Sequence, residues 1–290
     1  MIKEKRVSGI QQFGILFIRQ LYMLKSNIRK LLMILMLPVA TAVIVGVVSG
    51  DEVFVTYEDT KSTLFAYVCV AIWIGLFNSI QEICRERSIL KREYMSNLSL
   101  MAYISSKFTV QAFICLFQSL ILMLVSSFFV EFPKEGIITY SFEAETFITI
   151  FLIMIASDAL GLFISSIVRS GDIANIIAPI VLIIQLVMSG VLFELNGAAE
   201  ALSNITFSKW GMEGLGAIAG MNDLEYYQIV HAKDEITRKT LTDVIERKVN
   251  DGFASTSENL IKIWLVLLGF SIALILLSSL ILRLVSKDSR

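Results

Sequence analysis

Residues 63–94 read TLFAYVCVAIWIGLFNSIQEICRERSILKREY, and the change of character within them decides the fold. The first nineteen, 63–81, contain no Asp, Glu, Lys or Arg. The next thirteen, 82–94, contain seven. A helix needs about 20 apolar residues to cross the hydrocarbon core of a bilayer. The first part therefore reads as a membrane span, and the charge block marks where the chain leaves the lipid. Working outward, five more runs have the same length and character: 31–49, 108–130, 146–168, 174–193 and 260–282. Backbone N–H and C=O groups find no water in lipid, so each run must be helical. No alternating strand pattern suggests a barrel. The expected fold is all-α, a polytopic membrane protein of six spans in one domain over 1–290.

Composition agrees. Apolar residues make up 56% and charged residues 18%, against roughly 45–50% and about 25% in soluble domains. A net charge of −1 gives no basic excess for nucleic acid. Cys69, Cys84 and Cys115 show no CxxC pair and no metal spacing, so they read as small buried hydrophobes. The first apolar run begins only at Leu31 and lacks a small-x-small cleavage site, so it is not a secretory signal.

Lys and Arg set the orientation. The tail 1–30 holds seven, 83–107 holds five, 169–173 holds one and the C-terminal end holds three. The two short loops on the other side, 50–62 and 131–145, hold one each, with four acids apiece. Both termini are expected in the cytoplasm. The segment 194–259 is expected outside.

Three pieces are not simple spans. Residues 9–30 place Ile10, Phe13, Phe17, Gln20, Leu21 and Leu24 at helical spacing, with Arg19, Lys25 and Arg29 elsewhere. This reads as an amphipathic helix in the cytoplasmic interface. Residues 82–107 read as a charged cytoplasmic helix region, with Glu82–Arg85 and its neighbours at i, i+3/i+4 spacing. A positive-inside loop accounts for its bases but not for the interleaved Glu82, Glu86 and Glu93. Residues 194–220 are semi-apolar and able to dip into the membrane edge, while 221–259 read as a polar cap. The only histidine, His231, lies in that cap and reads as a surface residue.

Catalytic chemistry is absent from the pattern. There is no GxxxxGK[ST] phosphate loop, no HExxH and no GxSxG. No catalytic residue, metal ligand or cofactor is expected in this chain. Asp158 is the one deep ionisable residue in a span. It stands beside Ser157, Gly161 and Ser165, a small-xxx-small face suited to close helix packing. Packing and transport both remain open for it.

The order of parts resembles an ABC-2-type permease, the membrane domain of the G-subfamily (type V) ABC exporters. ERSILKREY (86–94) is similar to that family's E-[RK]-x-x-x-x-[RH]-E-Y coupling-helix motif, with Glu86, Arg87, Arg92, Glu93 and Tyr94 in register. GLFISSIVRS (161–170) and SGVLFELNG (189–197), followed by FSKWGMEGL (207–215), resemble the end of span four, the end of span five and the re-entrant segment. The resemblance implies a dimer of permease copies, identical or related, coupled to two ABC ATPase subunits that carry ATP and Mg. It implies that Glu82, Glu86, Arg87, Arg92, Glu93 and Tyr94 couple to the ATPase. It places Ala71, Ile74 and Asn78 on span two and Ile183 and Leu186 on span five around a central cavity, with Val191 and Leu192 as the outer plug. The chain departs from the family's animal members in lacking an ATPase and an external cysteine. The cargo implied is amphiphilic or hydrophobic: lipid, drug or peptide. A membrane assembly or sensor protein with a cytoplasmic partner is the alternative reading.

Overall fold

The computed structural model describes residues 8–50, 53–193, 195–224 and 250–287. His231, most of the polar cap, Glu194, Lys3, Lys5, Arg6 and Arg290 lie outside the described residues. Among the described residues ten α-helices follow in chain order: α1 (Gly9–Ser26), α2 (Ile28–Val48), α3 (Tyr57–Ser79), α4 (Arg87–Met95), α5 (Leu100–Ser126), α6 (Phe142–Ile167), α7 (Gly171–Val187), α8 (Ala198–Ser203), α9 (Phe207–Ile218) and α10 (Ser257–Lys287). There is no β-sheet among the described residues.

Among the described residues five helices are long and apolar enough to cross a membrane: α2, α3, α5, α6 and α10. The fifth expected span, 174–193, is a shorter apolar helix. α7 has 17 residues, or about 25 Å at 1.5 Å per residue. That is less than the roughly 30 Å hydrocarbon core. The chain then breaks into turns from Met188, and Gly190 takes a φ of +76°.

Short polar residues start the helices. Ser99, Ser141 and Ser170 accept from the backbone N–H three residues on and open α5, α6 and α7. Each satisfies one donor that the first helical turn leaves unpaired. Asn27 closes α1 and opens α2, its side chain accepting from the Lys30 N–H. The helix expected over 9–30 therefore ends at Ser26, and Ile28, Arg29 and Lys30 belong to α2.

α6 is the centre of the bundle, packed by α3, α5, α9 and α10. In lipid, helix association comes from close packing and hydrogen bonds rather than from water exclusion. The small face of α6 supplies both. Ser157 Oγ donates to Ile72 O at 2.5 Å, and Ser79 Oγ returns a bond to Asp158 O at 2.7 Å. A Cβ on Gly161 would meet Leu76 O at 2.8 Å, and one on Gly75 would collide with Met154 O. Ser157 and Gly161 of the expected packing face thus make the α3–α6 contact, and Ser165 continues it onto the turn after α3. α2 and α10 stand at the outside, largely bare.

α9 is buried against α6, α10 and α3. On the same side, Glu145 takes the backbone N–H groups of Ile137, Ile138 and Thr139 at 2.8, 2.5 and 2.7 Å and so ties down the loop before α6.

Candidate functional site

The charge block forms where α3 hands over to α5. α3 stops at Ser79, a 3₁₀ turn covers Cys84–Glu86, and α4 runs only from Arg87 to Met95. Two anchors hold this turn on α6. Ser165 Oγ accepts from the N–H groups of Ile83 and Cys84 at 3.0 and 3.1 Å. Arg87 donates to Val168 O and to Ile167 O, carbonyls at the C-terminal end of α6. Those carbonyls have no helical partner and carry the negative end of the helix dipole, so a guanidinium suits them. Ile83, Cys84 and Leu90 are buried beneath.

The carboxylates of the block turn inward. Glu82 pairs with Lys30 on α2 at 2.7 Å and with Lys107 on α5 at 3.2 Å. Glu86 pairs with Lys107 at 3.0 Å and accepts from Tyr103 Oη at 2.9 Å. Glu93 pairs with Arg19 on α1 at 2.6 Å. The Lys107 side chain is 1% exposed, so it depends on these two carboxylates for its charge. Gln12 completes the strap. Its side chain donates to Asn97 O at 3.3 Å and accepts from the Ser99 N–H at 2.7 Å. α1 is thereby fixed to the turn between α4 and α5.

These partners differ from those expected from spacing. The expected Glu82–Arg85 pair does not form, because Glu82 lies beyond the end of α3 and Arg85 sits in the 3₁₀ turn. Of the face expected on α1, Gln20 is buried and Phe13, Phe17 and Leu24 are half-buried, while Ile10, 85% exposed, and Leu21 are bare; Leu16 is buried as well, beside Phe13.

With the acids occupied, the outer surface of α4 has a different chemistry. Ser88, Ile89, Lys91, Arg92 and Met95 are exposed. This exposed face is basic and apolar, and the one carboxylate of α4, Glu93, is turned to Arg19. Tyr94 is half-buried against the cluster around Tyr103.

The residues expected around a central cavity fall in two groups. Ala71 and Ile74 are fully buried inside the chain, against α6 and its neighbours, and present no surface. The bare face of α3 carries Trp73 and Phe77 instead. Asn78 is half-buried and tied inward, donating to Gln118 Oε1 at 2.6 Å and accepting on its carbonyl from Gln111 at 3.0 Å. Gln118 in turn donates to Ile34 O at 2.9 Å, which joins α3, α5 and α2. On α7, Ile183 is exposed and aligned with exposed Ile176 and Ile180, while Leu186 is half-buried. Val191 is half-buried and Leu192 exposed, both in the turns after α7. Asp158 is fully buried, and neither carboxylate oxygen has a hydrogen-bond partner among the described residues.

Spacing gave no sign of Lys107, Tyr103, Arg19, Lys30 or Ser165 as members of this cluster. One signal was there to read: Lys107 is the only charged residue in 100–126, a span-length run, and such a residue calls for a buried partner.

Comparison with known proteins places the arrangement. The protein-family model described as ABC-2 type transporter matches residues 11–218. An ABC transporter ATP-binding/permease protein of Mycobacterium tuberculosis is 27% identical over 150 residues, which cover 51% of this chain and 17% of that protein. The chain thus spans well under a fifth of that relative's length.

Proposed function

From the premise that the chain belongs to the ABC-2 type transporter family, we propose that it is the permease of an ATP-driven exporter. Its cargo is amphiphilic or hydrophobic and moves outward by alternating access. An ABC ATPase carrying ATP and Mg drives it, as a separate subunit or, as the name of the mycobacterial relative states for that protein, joined to the permease. Two permease copies work as a pair. In this reading α7 is the fifth of six membrane helices, α1 lies in the interface, the termini are cytoplasmic and the membrane is the bacterial plasma membrane.

The supporting observation is the division of labour in the charge block. Glu82, Glu86 and Glu93 bind α4 rigidly to α1, α2 and α5, while Ile89, Arg92 and Met95 stay outside. A short helix held at both ends by ion pairs moves as one piece with the spans behind it. A push on its outer face therefore reaches α2, α3 and α5 together. Coupling then belongs to Arg92 by contact, and to Glu82, Glu86, Arg87, Glu93 and Tyr94 by position. The bare aromatics Trp73 and Phe77, with Ile183 and Leu186, line the shared cavity. Asn78 supports it from behind, and Val191 and Leu192 close its outer end.

The test is co-purification of the chain with candidate ABC ATPases. Ile89→Asp should abolish the complex, whereas Lys61→Ala, on the opposite end of α3, should leave it intact. Absence of any ATPase partner, or a complex indifferent to Ile89→Asp, would favour a membrane assembly protein instead.

A further inference from the structure

A cavity of about 370 Å³ lies beside the ion-pair cluster, between α1, α2, the end of α3 and α5. Its wall has two halves. One is charged, with Lys30, Arg85 and Lys107 against Glu82 and Glu86. The other is apolar, with Met23, Leu24, Ile34, Phe77, Val110 and Ile114. Met23, Lys30, Phe77 and Arg85 are exposed, so the cavity opens sideways between α1 and the spans.

The charges do not balance. Three cations face two carboxylates, and both carboxylates are already taken by Lys30 and Lys107. Arg85 makes no ion pair among the described residues. Two amides in the wall add a second demand. Gln20 Nε2 and Gln111 Oε1 are buried without a hydrogen-bond partner. The first wants an acceptor and the second a donor, and a hydroxyl is both. An occupant that suits every part has one negative charge, hydroxyls and an aliphatic chain. The volume fits a headgroup and the first carbons of its chains, not a whole lipid.

We propose that this cavity holds the phosphoglycerol headgroup of an acidic phospholipid from the adjoining leaflet. Its phosphate meets Arg85 as a charge-assisted pair. Its chains leave past Ile34 into the hydrocarbon. The site lies between elements of one chain, and it rests on the membrane reading alone, not on coupling to an ATPase. A lipid there adds a contact between α1 and the spans beside those made by the ion pairs.

The test is native mass spectrometry of the whole chain in detergent, titrated with phosphatidylglycerol, phosphatidylcholine, glycerol 3-phosphate or inorganic phosphate. Wild type should retain one phosphatidylglycerol about tenfold more tightly than phosphatidylcholine, a difference of about 1.4 kcal/mol. Arg85→Gln, at an exposed unpaired side chain, should remove that preference. Ile34→Trp, which fills the apolar half, should weaken both lipids. Equal retention of the two lipids, or a preference that survives Arg85→Gln, would overturn the proposal. Binding of glycerol 3-phosphate or phosphate as tight as that of the lipid would show a soluble anion site and overturn the lipid assignment.

Discussion

Replacing Lys107 with Met removes the one cation that joins Glu82 and Glu86, and it does so without opening a large hole. Both carboxylates are mostly buried, with side chains 18% and 23% exposed. Breaking a buried pair by deleting one partner costs about 3–5 kcal/mol, because the other charge stays desolvated and uncompensated. Here two observations pull the value toward the lower end. Glu82 keeps Lys30 at 2.7 Å, and Glu86 keeps the Tyr103 hydroxyl at 2.9 Å. A loss of about 3 kcal/mol is expected. At roughly 2–4 °C per kcal/mol for a chain near this size, the melting temperature falls by about 6–12 °C. The assay is thermal unfolding of the purified chain in detergent, followed by loss of the monodisperse peak. The triple variant Lys107→Met, Glu82→Gln, Glu86→Gln tests the cause. It leaves no buried orphan charge, since Lys30, which loses Glu82, is 46% exposed, and neutral replacements for buried ion pairs are often harmless. It should recover most of the loss. A drop under 2 °C in the single variant, or a triple variant less stable than the single, would refute the reasoning.

Ser165→Ala leaves the Ile83 and Cys84 N–H groups without their acceptor, which should cost about 1–3 kcal/mol and release the turn before α4; faster deuterium uptake at 80–86 is the readout. Gly75→Leu places a side chain against the Met154 carbonyl and should separate α3 from α6, so the variant should fail to yield a monodisperse protein; normal yield and melting would contradict the packing. Asp158→Asn replaces an unpartnered carboxyl by a neutral isostere, so stability should hold or rise. If transport is lost while stability is kept, Asp158 acts in the transport cycle; if both are kept, it is a packing residue. Arg19→Ala breaks a pair about a third exposed at both partners, so it should cost no more than about 1 kcal/mol; a larger fall in thermal unfolding would mean that α1 is held by that pair rather than by Leu16 and Gln12.

The membrane helices were legible because their signal is local. Runs such as 146–168 and 260–282 need only their own composition to be recognised, and α6 and α10 stand there. The small face of α6 was legible for the same reason, since Ser157, Gly161 and Ser165 repeat every four residues. Two things were not. The facing of α3 was hidden because that helix is apolar all round, so nothing in the sequence distinguishes buried Ala71 and Ile74 from bare Trp73 and Phe77. The partners of the acids were hidden because they are distant in sequence. Glu93 finds Arg19 and Glu82 finds Lys30 across 74 and 52 residues. The spacing rule for helical neighbours also failed at 82–87, because the chain there is turn and 3₁₀ helix rather than one α-helix. The fifth span proved hard to bound for a related reason. Hydropathy continues through Val191–Phe193, while the helix has already ended at Val187.

In the proposed function the outer face of α4 receives force from an ABC ATPase and the buried carboxylates pass it on. ATP turnover by the reconstituted permease–ATPase complex, with and without the permease variants, tests this most directly. Arg92→Glu should weaken assembly and abolish the permease's effect on turnover. Glu86→Gln should leave assembly intact yet uncouple it, with turnover falling toward that of the ATPase alone. Turnover identical to wild type in both variants, at equal complex formation, would contradict the account.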